Sequence, residues 1–308
     1  MTQPPETPTL QPAPTGPITE FLDDGAVLER VATGASWAEG PVWLPERRQV
    51  WFSDIKGNRI LAFDEASGEL SVAVAEAEYP NGRTLDGDGR IVQCSHGRRR
   101  VEIQELDGST TGLVERIDGE EGPRFNSPND VVVAADGAVW FTDPAYGIQS
   151  AGEGHPGEME YGGTCHVFRL DRSSGEVHAV VEDMHRPNGL AFSLDERLLY
   201  VADSASDLGR PEEHAIRVYD VADGRCTNGR TFAVIEPGVP DGIRVDRQGR
   251  VWTSRADGVA VYDPDGTEIA HLPVPETVAN LCPGGEDRRS LYLTATTSLY
   301  RIRLRDAF

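Results

Sequence analysis

One hairpin pattern recurs six times along the chain and limits the folds that are open to it. Each copy has a polar residue, a short apolar strand, a charged or glycine-containing turn, and a second strand that usually carries an aromatic residue. The copies span residues 39–54, 81–95, 129–143, 188–203, 241–255 and 280–295. Because one such unit cannot bury both of its faces alone, neighbouring copies are expected to stack against each other.

Further strands follow most of these hairpins. Residues 60–74, 166–181, 216–234 and 259–274 each have the pattern of two short strands joined by a turn. The repeating unit is therefore four antiparallel strands, which is typical of a β-propeller blade. The 33 Gly and 21 Pro residues also favour many turns over long helices. We predict an all-β fold, a six-bladed β-propeller.

The two ends of the chain are expected to close the ring together. The sixth hairpin is followed by only one strand, at 299–304, whereas the strand at 27–33 precedes the first hairpin and has no partner there. We therefore predict that this N-terminal strand completes the last blade. Residues 1–17 are rich in proline and threonine and are predicted to form a flexible tail. Residues 18–308 are predicted to form a single domain.

The charge and composition of the chain limit its partners. With 51 acidic and 29 basic residues, the formal net charge is −22, so we expect no nucleic-acid partner, and we interpret 98–100 (RRR) as a solvated strand edge. No apolar run approaches the ~18 residues of a membrane span, and the N-terminal segment lacks the regions of a signal peptide. We expect a cytoplasmic protein of undetermined oligomeric state, with no membrane partner. Four widely spaced cysteines are interpreted as reduced thiols: Cys94, Cys165, Cys226 and Cys282.

Polar residues stand at equivalent positions in the six hairpins, at the start of each first strand. In a propeller these strands line the central channel, so their starts are expected to converge at one mouth. The ring comprises Glu39, Asn81, Asn129, Asn188, Asp241 and Asn280. Antiparallel pairing predicts three more carboxylates at the same end, Asp54, Asp143 and Asp203. Turn chemistry is the alternative explanation, because Asn and Gly are common in turns.

Crowded carboxylates repel one another, and burial adds to the cost of their charge. A hard divalent cation resolves this conflict, because Ca²⁺ accepts carboxylate and amide oxygens. The ring therefore predicts one bound cation, Ca²⁺ first, with Mg²⁺, Mn²⁺, Zn²⁺ or Fe²⁺ as alternatives. Asn188 then becomes a ligand rather than a turn residue. His96 is expected either to reach the channel mouth or to be structural. Residues 146–163 are expected to form either a lid over the site, which is favoured, or a mobile loop.

Four motifs occur in an order that resembles the gluconolactonase/regucalcin (senescence marker protein) family. They are EGPVW, FNSPNDVV with WFTDPAYG, RPNGLAFS with LLYVADS, and VPDGIRVD with RVWTS. The resemblance runs from Glu39 to Leu304 and implies a six-bladed propeller with one divalent cation in its channel. It also implies hydrolysis of a sugar lactone. By motif, the implied metal ligands are Glu39, Asn188 and Asp241, with Asn129 as a contact to metal or substrate.

Asp241 is the catalytic residue in this interpretation. It would accept a proton from water and return it to the leaving alkoxide, or it would attack as a nucleophile. The predicted substrate-binding residues are Asn81, His96, Asn129 and Asn280. Animal members of the family have a substrate-binding arginine at the position of Ser127. This chain has serine there, as bacterial-type members do, so the particular lactone is not determined. Two alternatives stay open: a phosphotriesterase resembling diisopropyl fluorophosphatase, and a non-catalytic calcium-binding propeller.

Overall fold

The N-terminal segment contributes short strands to two different blades. The computed structural model describes residues 2–3, 8–205 and 214–308. This segment contains β1 (Thr2–Gln3), β2 (Thr9–Leu10), a 3₁₀ helix (Pro17–Phe21) and β3 (Glu29–Thr33). Strand β2 pairs with β3, and β1 pairs with the outer strand of the first blade. The flexible tail predicted for 1–17 lies partly outside the described residues, and its flexibility stays a prediction.

Six antiparallel sheets follow one another along the chain. Blade one contains β4 (Ala38–Leu44), β5 (Gln49–Asp54), β6 (Arg59–Asp64) and β7 (Leu70–Ala75). Blade two contains β8 (Pro80–Leu85), β9 (Ile91–Ser95), β10 (Arg100–Gln104) and β11 (Thr110–Val114). Blade three contains β12 (Val131–Val133), β13 (Val139–Asp143), the short helix α1 (Tyr146–Gln149), β14 (Cys165–Leu170) and β15 (Val177–Met184).

The second half of the chain continues the same order. Blade four contains β16 (Pro187–Phe192), β17 (Leu198–Ser204), β18 (His214–Ala222) and β19 (Arg225–Val234). Blade five contains β20 (Ile243–Val245), β21 (Val251–Arg255), β22 (Gly258–Tyr262) and β23 (Glu268–Pro273). Blade six contains β24 (Val278–Gly284), β25 (Ser290–Ala295) and β26 (Ser298–Arg303). The first strands of successive blades contact one another around the ring, so they surround the central channel. Among the described residues, no helix is both long and apolar enough to cross a membrane.

The ring closes as the sequence predicts. Strand β3 pairs antiparallel with β26, with Thr33 opposite Ser298 and Ala32 opposite Leu299. The last sheet therefore has the order β2-β3-β26-β25-β24. The predicted six-bladed propeller and its closure by the N-terminal strand are confirmed.

Apolar side chains fill the spaces between neighbouring blades. Trp43 and Phe52 of blade one pack with Tyr292 of blade six in one buried cluster, and the rings of Trp43 and Tyr292 are stacked with centroids 6.0 Å apart. Burial of a large apolar side chain contributes about 1.5–3 kcal/mol relative to exposure. This packing between blades holds the first strands in place around the channel.

The four cysteines are all unpaired thiols, as the sequence predicts. Burial raises the pKa of both Cys226 and Cys282 to about 12. These two thiols are therefore protonated at neutral pH and are weak nucleophiles.

Candidate functional site

Five of the six ring residues line a single cavity of about 230 Å³ at one mouth of the channel. These five are Glu39, Asn81, Asn129, Asn188 and Asp241. Asn280 lies behind the lining, where its Nδ2 donates to Oε1 of Glu39 over 3.4 Å and its Oδ1 accepts from the Leu281 N–H at 2.8 Å. Five ring residues therefore line the cavity, and the sixth, Asn280, supports Glu39 from behind.

A shift of register at the start of the first strands sets the direction of these side chains. In blades one, two, four and six, the first strand slips against its partner close to the ring residue. The shifts fall between Glu39 and Val42, Pro80 and Arg83, Pro187 and Leu190, and Val278 and Asn280. Such a bulge interrupts the regular ladder and re-aims the side chains beside it. The ring side chains can therefore depart from simple strand alternation.

Glycine follows four of the ring residues because neighbouring blades approach closely there. The four are Gly40, Gly82, Gly189 and Gly242. A β-carbon at Gly189, for example, would clash with the carbonyl oxygen of Asp241 in the next blade. Of the four, only Gly40 has a positive φ, at 50°. The Asn188-Gly189 pair therefore lies in strand β16 for reasons of packing between blades, and turn chemistry does not explain it.

Two carboxyl groups of the lining strongly influence each other. Burial, and next the nearby charge of Asp130, raises the pKa of Glu39 to about 7. Burial and the charge of Glu39 hold the pKa of Asp241 well above its usual range, and the two groups are close enough to share a hydrogen bond. Without a counter-charge, the pair therefore tends to retain a proton near neutral pH.

Two buried oxygen atoms of the lining have no hydrogen-bond partner within the described part of the chain. They are Oδ1 of Asp241 and Oδ1 of Asn81. Leaving a buried polar atom unpaired costs about 1–3 kcal/mol. Both atoms belong to side chains that line the cavity, and each needs a hydrogen-bond partner that the described chain does not supply.

His96 determines how the Asn81 amide is turned. Its Nε2 lies 3.0 Å from Nδ2 of Asn81, and its Nδ1 lies 2.9 Å from the carbonyl oxygen of Glu153. Because that carbonyl can only accept, Nδ1 carries the proton and Nε2 accepts from the amide. Burial lowers the pKa of His96 to about 4, so the ring is neutral at physiological pH. This geometry favours a positioning role over acid or base chemistry.

The donor set of the lining suits a hard cation. Across the described ranges, no three His, Cys, Asp or Glu side chains form a cluster that could hold a metal. The lining instead combines the carboxyls of Glu39 and Asp241 with the amides of Asn129 and Asn188. Oxygen donors of this kind match Ca²⁺ or Mg²⁺, whereas zinc sites usually include sulfur or imidazole. The unpaired Oδ1 of Asp241 fits the same interpretation.

The three carboxylates that the sequence placed at the same end as the ring hold loops. Asp54, Asp143 and Asp203 each accept hydrogen bonds of 2.7–3.0 Å from two successive backbone N–H groups. The N–H groups that donate to Asp143 are those of Asn126 and Ser127, in the loop that leads into the first strand of the same blade. Asp54 pairs with Ala38 and Asp203 with Pro187, so these two lie at the predicted end of the strands. None of the three carboxylates lines the cavity, because the adjoining loops supply the N–H groups that they accept.

Residues 146–163, the predicted lid, form one wall of the cavity. Their contributions to the lining are Tyr146, Ser150 and Glu153. Arg99 anchors this segment, since its Nη2 donates to the carbonyl oxygen of Glu158 at 3.1 Å and its Nη1 lies 3.2 Å from Glu160 Oε1. Arg99 is only 7% exposed. The interpretation of 98–100 as a solvated edge was therefore wrong for Arg99, because loops of blade three cover it.

Several residues near the site have no counterpart in the repeated hairpins of the sequence. Trp37, Ile55 and Val239 supply the apolar part of the lining, and Lys56 lies 3.6 Å from Glu153 and over the Trp37 ring. They stand in loops outside the repeated hairpins, so no periodic signal marks them. Asp130, by contrast, follows Asn129 directly, and two polar residues before an apolar strand could have drawn attention to it.

Comparisons with known proteins point to one family. Residues 37–297 match the SMP-30/Gluconolactonase/LRE-like region family. The chain is 32% identical to a gluconolactonase of Zymomonas mobilis, with 94% of this chain and 86% of that protein covered. It is 31% identical to the pentonolactonase XacC of Haloferax volcanii, with 87% and 84% covered. A solved gluconolactonase structure from Xanthomonas campestris is 34% identical, with a TM-score of 0.88 and 98% and 99% of the two chains covered.

Proposed function

The chain belongs to the SMP-30/gluconolactonase/LRE-like family, and from this premise we propose that it is a lactonase that hydrolyses the ring ester of a sugar lactone. The relatives named gluconolactonase and pentonolactonase support this reaction class. The observation that carries the proposal for this chain is the unpaired, buried Oδ1 of Asp241 in a cavity lined with carboxyl and amide groups. Such a cavity offers hydrogen-bond partners to the hydroxyls of a sugar.

Glu39, Asn129, Asn188 and Asp241 are the residues that would hold one divalent cation. Ca²⁺ is our first choice, because all four donors are oxygens. Mg²⁺, Mn²⁺, Zn²⁺ and Fe²⁺ are the alternatives. When bound, the cation would polarise the lactone carbonyl and lower the pKa of a water molecule. The raised pKa of Glu39 supports this assignment, since a positive charge would offset the repulsion that burial intensifies.

Asp241 is the proposed catalytic residue. Its carboxylate would accept a proton from water while the water oxygen bonds to the lactone carbonyl carbon. The same proton would then pass to the ring oxygen as the ester C–O bond breaks. One water molecule is consumed, and the product is the open-chain hydroxy acid. A carboxyl whose pKa is raised by burial and by Glu39 is suited to both transfers near neutral pH.

Asn81 and Asn129 are proposed to orient the sugar hydroxyls. Because His96 holds Nδ2 of Asn81, the unpaired Oδ1 is left to accept a hydrogen bond from the substrate. His96 itself is 1% exposed, and we propose that it acts through Asn81. Asn280 is likewise proposed to act through Glu39, to which it donates. Both were expected from sequence to contact the substrate directly.

The polarity of the lining favours a sugar lactone over an organophosphate triester. Only Trp37, Ile55 and Val239 supply apolar side chains, and all the other lining residues have polar groups. A triester with alkyl arms would leave most of these polar groups without partners, at a cost in affinity. The phosphotriesterase alternative is therefore the weaker proposal.

A substrate panel tests the proposed function. The purified protein would be assayed with gluconolactone, pentonolactones and diisopropyl fluorophosphate, before and after removal of cations by a chelator. We expect lactone hydrolysis that is lost on chelation and restored best by Ca²⁺. Activity that survives chelation would contradict the cation, and hydrolysis of the fluorophosphate alone would support the alternative. A bound cation with no hydrolysis of any lactone would indicate the non-catalytic propeller.

A further inference from the structure

A second cavity, of about 320 Å³, opens farther along the same first strands. It is lined by residues 41–43, 83–85, 244, 282–283 and 288. Along β4, β8 and β24, and at Arg244 in β20, these residues come two to four positions after the ring residue of the same blade. With about 3.3 Å per strand residue, the second cavity lies roughly 10 Å from the first, towards the opposite mouth of the channel.

Three arginines and no carboxylate line this second cavity. Arg83 is 1% exposed, Arg244 is partly buried and Arg288 is exposed at the rim. Among the ion pairs of the described residues, none involves any of the three. At longer range, the charges of Arg83 and Arg244 act on the buried carboxyl of Glu39, and that of Arg244 also acts on Asp130, but none of these carboxyls lines the second cavity.

The guanidinium group of Arg83 is held rigidly but is not fully paired. Its Nη2 donates to Ser53 Oγ at 2.7 Å, and its Nη1 donates to the carbonyl oxygen of Gly40 at 3.3 Å. Its buried Nε has no acceptor within the described chain. Burial lowers the pKa of Arg83 to about 9, so the group stays charged at neutral pH. An unpaired N–H on a buried cation indicates a missing acceptor.

Arg244 and Arg288 complete the basic lining. Nη1 of Arg244 donates to the carbonyl oxygen of Ile243 at 2.6 Å. Both guanidinium groups are close enough to Cys282, on the cavity wall, to oppose the rise in the thiol pKa that burial causes. Arg244 and Arg288 therefore lie close to one wall of the same cavity.

We propose that this second cavity binds a small oxyanion, a phosphate or a carboxylate, between Arg83, Arg244 and Arg288. Arginine binds both groups well because its planar N–H donors match two oxygen atoms at once. Apolar side chains such as Trp43 and Leu85 in the lining reduce water access and strengthen the attraction. The site is separate from the proposed lactone site and does not depend on that function.

Calorimetric titration of the full-length protein tests the proposal. The protein would first be freed of cations by dialysis and then titrated with inorganic phosphate or with gluconate at constant ionic strength. We expect saturable binding of at least one anion, with one site per chain. Arg288→Gln should weaken this binding about tenfold or more, because it removes one charge-assisted contact. Arg225→Gln, at an exposed position on the outer strand of blade four, is the matched control and should bind normally.

The outcomes separate the possibilities. Preferred binding of phosphate or of gluconate identifies the class of anion. No saturable binding of either, or equal affinity in Arg288→Gln and the unmodified protein, would overturn the proposal. Arg288 lies at the exposed rim, so its substitution is compatible with folding, which thermal unfolding would verify. Since no turnover is measured, failure here is distinct from failure of the lactonase proposal.

Discussion

Asp241 stands just before strand β20, with one carboxylate oxygen buried and unpaired beside Glu39. We expect Asp241→Asn to lower kcat for lactone hydrolysis by about 10²–10⁴-fold, because the amide cannot accept the proton of water. The fold should persist, since the amide has the same shape and removes a repulsive charge. Steady-state kinetics and thermal unfolding would measure both effects. Asp88→Asn, at an exposed turn, is the control, and near-normal turnover in Asp241→Asn would remove its proposed role.

The shifted pKa of Glu39 predicts how stability depends on pH. Its pKa is about 7 in the folded protein against an ordinary 4.5, so the native state binds more protons than the unfolded state between these values. The cation-free protein should therefore lose stability as the pH rises from about 4.5 to 7, by roughly 3 kcal/mol for this group. Added Ca²⁺ should stabilise increasingly over the same range, because it favours the ionised carboxyl.

Unfolding midpoints measured between pH 4 and 8, with and without Ca²⁺, would check this prediction. The comparison protein is Glu39→Gln, in which both the pH dependence and the gain from Ca²⁺ should shrink. A stability that increases through this range without cation would contradict the assignment.

At the scale of the elements, one pattern of hydrogen bonds recurs in several blades. The last residues of the second strand hold the loop that enters the first strand. Asp54, Asp143 and Asp203 do so by accepting two N–H groups each. In blade five, Arg255 instead donates to the carbonyl oxygen of Glu236, and in blade two Ser95 donates to that of Glu78. The end of the second strand therefore hydrogen-bonds the loop that precedes the first strand in each of these blades, with acceptors in some blades and donors in others.

Removal of one of these loop-binding carboxylates should lower the stability of the protein. In Asp143→Ala, the N–H groups of Asn126 and Ser127 lose their acceptor, and each unpaired buried group costs about 1–3 kcal/mol. We expect a loss of roughly 2–5 kcal/mol of stability in chemical denaturation. Glu182→Ala, which removes an exposed carboxylate from β15 of the same blade, should change stability little. An equally small effect in both variants would show that this carboxylate is dispensable.

At the scale of the whole molecule, closure of the ring depends on the segment that runs from the 3₁₀ helix to β3. Ile18, Leu22 and Leu28 are almost fully buried in the core of blades five and six, and together they contribute roughly 5–9 kcal/mol. That is comparable to the entire stability of a typical domain. Deletion of residues 1–33 should therefore prevent folding, whereas deletion of 1–17 should leave a folded propeller.

Circular dichroism and the soluble yield of each truncated protein would show whether it folds. The shorter deletion removes β2, which pairs through only Thr9 and Leu10, so a modest decrease in the unfolding temperature is expected. Equal stability of the two truncated proteins would be incompatible with closure by β3.

The fold could be predicted from sequence almost completely. Blade number, strand order and closure follow from the spacing of the hairpins, and the family resemblance inferred from four motifs is confirmed by the comparisons. The site could be predicted in part. The convergence of Glu39, Asn188 and Asp241 follows from their equivalent positions, whereas the roles assigned to them stay proposals.

What the sequence by itself determined was the repeat, the ring of blades and the polar residue at each strand start, because strand alternation and turn spacing are local properties of the chain. Only the tertiary structure decided that Asn280 lies behind Glu39, that His96 is buried and neutral, and that Asp143 binds a loop. It also brought together the arginines of the second cavity. These features depend on register shifts and on packing between blades. Both arise from contacts between residues far apart in the chain, which no local pattern records.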